Sequence, residues 1–150
     1  MTASTVFWTV FAGFSVFVLG QIVVKFVLEP IQEFYKLTGE IGHSLVYYAN
    51  VYSNTDVSGE TERKEAHDKF RGQSCELFAK AYTIPLFRLW SLFRLLPKRD
   101  DVEKAGGYLI GLANGCYDKS QFSAERNDKR RVKLDKLLGM KTGADERGTD

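Results

Sequence analysis

The sequence contains few cysteines, and it has no charged residue near its beginning. Only two of the 150 residues are cysteine, Cys75 and Cys116, and no CxxC pair is present. This usage argues against a disulfide framework and against a zinc knuckle. None of the 21 Lys and Arg residues precedes Lys25, and none of the 19 Asp and Glu residues precedes Glu29. An uncharged stretch of this length is atypical of an ordinary soluble protein.

Several motifs that carry chemistry are also absent from the sequence. It holds no P-loop, GxGxxG, GxSxG or HExxH. Glu40 and His43 form one ExxH, but a dimetal bundle needs two, and His67 has Lys64 at the matching position. The net charge of +2 does not indicate nucleic-acid binding. The sequence therefore favours a non-enzymatic protein with no cofactor, no metal and no specific nucleic-acid partner.

A long apolar run occupies residues 6–24. As a helix it would span about 28 Å, which is close to the hydrocarbon thickness of a bilayer. Trp8 and Lys25 flank the run, where interfacial side chains are favoured. Because residues 1–5 lack the basic start of a signal peptide, the run favours an uncleaved anchor. A buried core helix is the other alternative, and it is disfavoured by the apolar character of the run on all sides.

The basic residues near this run all follow it. The positive-inside rule, applied to Lys25 and Lys36, predicts an outside N terminus and a cytoplasmic C-terminal domain. We therefore expect a single-pass protein of a plasma membrane or a bacterial inner membrane. Its predicted parts are a transmembrane anchor (residues 1–29), a cytoplasmic helical bundle (30–138) and a polar disordered tail (139–150).

Helical periodicity continues beyond Pro30, where we expect a kink or a short break. Residues 31–52 repeat apolar side chains at helical spacing, namely Phe34, Leu37, Ile41, Leu45, Tyr48 and Tyr52. Residues 58–82 predict a second helix of similar length, so an antiparallel hairpin would return the chain to the membrane near Pro85.

Two more helices are predicted towards the end of the chain. One follows the acidic N-cap box at Asp100, and its predicted core stripe is Val102, Ala105, Leu109, Leu112 and Cys116. The other occupies residues 123–138 and is expected to stop at Gly139. The fold class is therefore all-α: one N-terminal transmembrane helix, then an antiparallel helical bundle that includes a short amphipathic interfacial helix.

That amphipathic helix is predicted at residues 86–96, which are rich in leucine and aromatic residues. From Arg88 to Arg99 the chain has four basic residues and no acidic one, a pattern typical of a helix that lies on an anionic membrane. Burial in the core fits the pattern equally well, and a surface for a protein partner is a third possibility. The residues predicted to contact a membrane or a partner are Phe87, Arg88, Trp90, Phe93, Arg94, Lys98 and Arg99.

Three glycines form a ridge in the helix that follows Asp100: Gly107, Gly111 and Gly115. Each glycine inside a helix costs about 1 kcal/mol relative to alanine. Close contact with another helix is the expected compensation. Packing within the bundle, against Gly42 and Ala49, is favoured over self-association.

The function predicted from these features is that of a membrane-anchored adaptor, regulator or assembly subunit. It would recruit or stabilise a protein partner at the membrane. The alternative is an effector that oligomerises and perturbs the bilayer. An enzyme acting on a membrane-borne substrate is a third hypothesis, with Glu40, His43 and the tyrosines as its only candidate groups. The predicted partners are the lipid bilayer and either another protein or a second copy of the chain.

Overall fold

The computed structural model of the protein describes residues 3–54 and 58–140. Within these ranges the chain is helical and contains no strand. The helices are α1 (Ala3–Val23), a π-helical turn (Val24–Leu28), α2 (Glu29–Tyr47), α3 (Ala49–Ser53), α4 (Glu60–Thr83), α5 (Phe87–Leu92), α6 (Arg99–Gly115) and α7 (Ser123–Leu138). The predicted all-α class is confirmed. Most of the predicted polar tail, from residue 141 onwards, lies outside the described residues.

α1, the π-helical turn and α2 form one uninterrupted helix. The predicted break at Pro30 does not occur, because Pro30 lies in the first turn of α2 and the chain stays helical on both sides. A proline ring inside a helix clashes with the carbonyl four residues earlier. Here that carbonyl belongs to Phe26, which lies in the wider π-helical turn. We infer that the wider turn makes room for the ring.

α2 and the helices that follow it form an antiparallel bundle. Lys80, near the end of α4, pairs with Glu33, near the start of α2, at 2.8 Å. Arg99, at the start of α6, donates a hydrogen bond to the Ala81 carbonyl of α4 at 2.9 Å. In the same way, the early part of α7 packs against the end of α6. Thus α2 and α6 run away from α1, whereas α4 and α7 run back towards it.

This arrangement gives the bundle two ends. The proximal end, next to α1, holds the start of α2, the end of α4, the start of α6 and the end of α7. The distal end holds the opposite termini of the same four helices.

The core contains the residues that the periodicity predicted. In α2 the stripe of Phe34, Leu37, Ile41 and Leu45 is at most 2% exposed. In α6 the buried side chains include Val102, Ala105, Leu109 and Leu112. The predicted helix 31–52 is divided at Tyr48, whose backbone angles (φ −93°, ψ 16°) are not helical. The turn buries Tyr52, whose hydroxyl donates to the Leu45 carbonyl at 2.9 Å.

The glycine ridge packs inside the bundle, but not as predicted. A Cβ added at Gly111 would lie 2.8 Å from Nε of Arg130, and one at Gly115 would overlap the Asn127 amide, so α7 covers both. Gly107 faces open space, and its neighbour Gly106 packs against the Phe78 ring of α4 instead. The predicted contact with α2 was wrong because α6 lies between α4 and α7.

Candidate membrane interface

α1 exposes its apolar side chains on every side. None of its described side chains is buried, and Phe7, Trp8, Phe14 and Phe17 are 63–64% exposed. The hydroxyl of Ser15 donates to the Phe11 carbonyl at 2.9 Å, so this polar group is satisfied inside the helix. The described chain contains one helix that is long and apolar enough to cross a membrane, and α1 is its apolar part.

The exposed apolar surface continues into the π-helical turn. Val24, Phe26 and Leu28 remain 40–60% exposed. From Val6 to Leu28 the helix extends about 33 Å at 1.5 Å per residue. A bilayer has a hydrocarbon core of about 30 Å. Glu29 and Pro30 therefore mark the end of the apolar surface and the beginning of the bundle.

The segment formed by residues 86–98 lies beside the base of α2. The Phe87 ring meets the Phe34 ring edge to face, with centroids 6.3 Å apart. The Tyr35 hydroxyl donates to the Leu95 carbonyl at 2.5 Å. Phe34 follows Leu28 by six residues, which is about 9 Å along the helix axis. The 86–98 segment is thus held less than two helical turns beyond the exposed apolar surface.

The helical part of this segment is shorter than predicted. α5 covers only Phe87–Leu92, and two residues with left-handed backbone angles flank it, Leu86 (φ 54°) and Arg94 (φ 58°). Such angles are uncommon for residues other than glycine, and they turn the chain sharply. Because of these turns the segment does not present one continuous apolar face. It is a short helix with a bend at each end.

Three of the seven predicted contact residues have structural roles instead. Phe87 belongs to the core at 4% exposure, because α5 begins there and points its ring at α2. Trp90 is half-buried, and its indole N–H donates to the Pro85 carbonyl at 3.0 Å. Arg99 caps α4 and stacks over the Tyr82 ring at 4.2 Å. These three side chains stabilise the proximal end.

The other four predicted contact residues, Arg88, Phe93, Arg94 and Lys98, are exposed. Four exposed leucines of the same segment were not predicted as contact residues: Leu86 (67%), Leu89 (40%), Leu92 (76%) and Leu95 (45%). Projection on a regular helix placed Leu86 and Leu92 on the apolar face, but it could not tell whether that face is buried or exposed. Leu86 and Arg94, whose left-handed backbone angles set the exposure of the segment, have no clear signature in the sequence.

A cleft of about 420 Å³ opens beside the segment at the proximal end. Three cationic residues line it, Arg94 and Lys98 from the segment and Lys136 from α7. Ser91 and Tyr35 contribute hydroxyl-bearing side chains to its wall. The side chains around this cleft are suited to an anion.

The remaining candidate groups lie elsewhere. Glu40 and His43 are exposed on the polar side of α2, as predicted, and the His43 ring stacks on Tyr47 with centroids 5.9 Å apart. Cys75 is exposed, whereas Cys116 is fully buried and directs its thiol at the Leu112 carbonyl. Burial raises the pKa of the Cys116 thiol to about 11. At neutral pH this thiol stays protonated and is a poor nucleophile.

Comparison of the chain with protein-family models, curated proteins and solved structures finds no match. The functional argument therefore rests on the exposed helix, the proximal segment and the bundle that joins them.

Proposed function

We propose that the protein is a membrane-anchored helical adaptor. In this proposal α1 crosses a bilayer, and the bundle at the membrane surface recruits or stabilises a protein partner without catalysing a reaction. One observation carries the proposal: the helix Val6–Tyr47 has a first half with no buried described side chain and a second half that supplies core residues. An anchor continuous with the core fixes the bundle close to the bilayer.

The distribution of basic residues supports a cytoplasmic bundle. Lys25 lies near the end of the apolar surface and Lys36 lies beyond it, and the proximal end adds exposed cations at Arg88, Arg94 and Lys98. Cationic flanks are retained on the cytoplasmic side of plasma membranes and bacterial inner membranes. We therefore propose that the N terminus lies outside and residues 30–138 lie in the cytoplasm.

The distal end offers the surface that we assign to the partner. Three exposed aromatic side chains lie at the distal end of the bundle: Tyr47 (70% exposed), Tyr117 (46%) and Phe122 (64%). Aromatic side chains are enriched at protein interfaces, where their rigid rings bury large areas. At the distal end such rings face water, so a protein is the partner that could cover them.

The effector hypothesis relied on the amphipathic segment and on a glycine ridge that could oligomerise. α7 covers two of the three glycines of the ridge, Gly111 and Gly115. Gly107 is the one member of the ridge that stays open to a second copy, so we place the adaptor first and the effector second.

Membrane extraction tests the anchor. We expect the full chain to stay with membranes after alkaline carbonate treatment. Phe14→Arg should release much of it, since a cation near the bilayer centre costs about 2.5–3.5 kcal/mol. Phe122→Arg is the matched control, because both phenylalanines are 64% exposed and only Phe14 lies on α1. Carbonate release of the unchanged protein would overturn the anchor.

Purification from membranes in mild detergent tests the adaptor role. We expect a stoichiometric protein partner that the double variant Tyr47→Ala/Phe122→Ala loses. Leu92→Ala, at an exposed proximal residue, should retain that partner. Recovery of the chain alone contradicts the adaptor proposal, and a partner that the distal substitutions leave in place contradicts the assigned surface.

A further inference from the structure

We propose that the 86–98 segment is a second membrane-contacting element, which lies in the headgroup layer of the leaflet where α1 ends and binds anionic phospholipid. This inference rests on the proposed crossing of the bilayer by α1. It assigns one occupant, the lipid surface, to a segment whose sequence fits lipid, core and partner contacts alike.

The depth of the segment follows from its contacts with α2. Headgroup layers add about 5–8 Å on each side of the hydrocarbon core. The apolar surface of the long helix ends at Leu28, and the contacts of the segment with Phe34 and Tyr35 lie about 9 Å further along the axis. A modest helix tilt shortens that distance measured along the membrane normal. The backbone of the segment therefore lies at the outer boundary of the headgroup layer, from which its exposed side chains reach into that layer.

The exposed side chains of the segment are those that enter an interface. Five large apolar side chains of the segment are 40–76% exposed: Leu86, Leu89, Leu92, Phe93 and Leu95. Five such side chains within ten residues are costly to leave in water. Next to a membrane, they can insert between headgroups while the backbone of α5 stays parallel to the surface.

The charges of the segment select anionic lipid. Arg88, Arg94 and Lys98 form no ion pair within the part of the chain that the structure describes. Lys136 adds a fourth cation at the cleft shared with Arg94 and Lys98. Juxtamembrane cations of this kind are attracted to an anionic leaflet.

Two acidic residues at the same end, Glu33 and Glu103, have hydrogen-bond partners of their own. Glu33 pairs with Lys80, and this hydrogen bond holds the pKa of the Glu33 carboxyl below its usual value. Glu103 accepts a hydrogen bond from the Tyr82 hydroxyl at 3.0 Å. Asp100 and Asp101 lie in the first turn of α6, where they complement the helix dipole. The cations of the segment therefore remain available to phosphate groups.

Spin labels on the full chain test the location of the segment. The background is Cys75→Ser, with the buried Cys116 left in place. One label each is attached at Phe14→Cys, Leu92→Cys and Phe122→Cys, in nanodiscs of phosphatidylcholine with about a third phosphatidylglycerol. We expect the labels at 14 and 92 to be more accessible to oxygen than to a water-soluble nickel chelate, with the label at 122 showing the reverse. The distal label is the matched control, since residues 92 and 122 are both exposed apolar positions.

The three labels separate this inference from the proposed function. A label at 92 in water with the label at 14 in lipid overturns the inference and leaves the anchor intact. Labels at 14 and 92 both in water overturn the anchor as well. A label at 92 shielded from both reagents indicates a protein neighbour, which also overturns a lipid occupant.

The preference for anionic lipid is tested in the same nanodiscs. We expect the label at 92 to leave the lipid, and the label at 14 to stay, when the charges are removed by Arg88→Gln/Arg94→Gln/Lys98→Gln. Omission of phosphatidylglycerol should have the same effect. The triple variant Lys64→Gln/Lys69→Gln/Arg71→Gln removes the same charge from exposed residues of α4 and should have no effect. A label at 92 that is insensitive to both changes overturns the anionic preference.

Discussion

α1 and α2 belong to the same continuous helix, yet they distribute apolar side chains in opposite ways. α1 carries them on all sides and buries none of those described. α2 confines its buried apolar residues to one stripe and has polar residues on its other side. A bilayer contacts a helix on every side, whereas a bundle contacts it on one. The comparison shows that one continuous helix can carry two different distributions of apolar side chains. The distribution changes near the π-helical turn.

The largest expected effect comes from truncating the same residue type in each half. Phe34→Ala should lower the free energy of unfolding of the bundle by about 3–5 kcal/mol, because Phe34 is 1% exposed and leaves a cavity. Phe14→Ala should leave it nearly unchanged, because Phe14 is 64% exposed. Denaturant titration of both full-length variants in one detergent, followed by circular dichroism, measures the difference. Equal losses would mean that α1 packs on the bundle.

Glycines of α6 give the next largest contrast. Gly115→Ala should destabilise the bundle by about 1–3 kcal/mol, since its Cβ overlaps Asn127, which is buried and donates to the Tyr52 carbonyl at 2.8 Å. Gly107→Ala meets nothing within 4 Å and should stabilise the helix by about 1 kcal/mol. Melting temperatures that shift in opposite directions confirm the orientation of α6. A shift in the same direction for both shows that the helix is rotated.

The two cysteines compare an exposed with a buried residue, and they give a pH dependence. At pH 8 iodoacetamide should modify Cys75 and spare Cys116, as peptide mass spectrometry can show. Burial raises the pKa of Cys116 from 9.0 in the unfolded chain to about 11, so the folded state retains a proton that the unfolded state loses. Its contribution to stability is present below pH 9 and is lost as the pH rises towards 11.

Cys116→Ala isolates this contribution. It should flatten the decline in the free energy of unfolding between pH 9 and 10, whereas Cys75→Ala should not. Above pH 10 the decline should continue in all variants, because burial also raises the pKa values of Tyr48 and Tyr52. Identical pH profiles for both alanine variants would show that Cys116 is accessible to water.

The smallest effect is expected where α2 contacts the 86–98 segment. Tyr35→Phe removes the hydrogen bond to the Leu95 carbonyl. It should lower the free energy of unfolding by at most about 1.5 kcal/mol, because Tyr35 is 52% exposed. Amide hydrogen exchange within residues 86–98 should become faster, with exchange in α6 unchanged. Unchanged exchange in the segment would mean that its contact with Phe34 alone positions it.

Periodicity predicted most of the bundle, because repeated apolar side chains report directly which side of a helix is buried. The α2 stripe and the α6 stripe were predicted in this way, whereas the end of α7 was predicted from the helix-stop signal at Gly139. The same reasoning failed at the glycines, because spacing identifies a ridge but not its partner. Gly107 and Gly106 differ by one residue, and only the contact with Phe78 separates them.

The candidate interface was less predictable than the bundle. The amphipathic helix at residues 86–96 was predicted from composition, charge and projection on a helix, but Phe87 proved to be a core residue and Leu92 an exposed one. Both outcomes depend on the left-handed angles of Leu86 and Arg94, which tertiary packing imposes on residue types that rarely adopt them. The π-helical turn before Pro30 was likewise not foreseen, because proline predicts a disturbance and not the form it takes.

The uninterrupted helix also couples the orientation of α1 to that of the bundle. A flexible linker would let the bundle rotate freely relative to α1, whereas a continuous helix makes the two change their tilt together. In a bilayer, helices adjust their tilt to the thickness of the hydrocarbon layer. A tilt change of about 10° moves the far end of the 19-residue α2 sideways by about 5 Å. If α1 crosses a bilayer as proposed, a change in membrane thickness would therefore change the position of the distal aromatic residues.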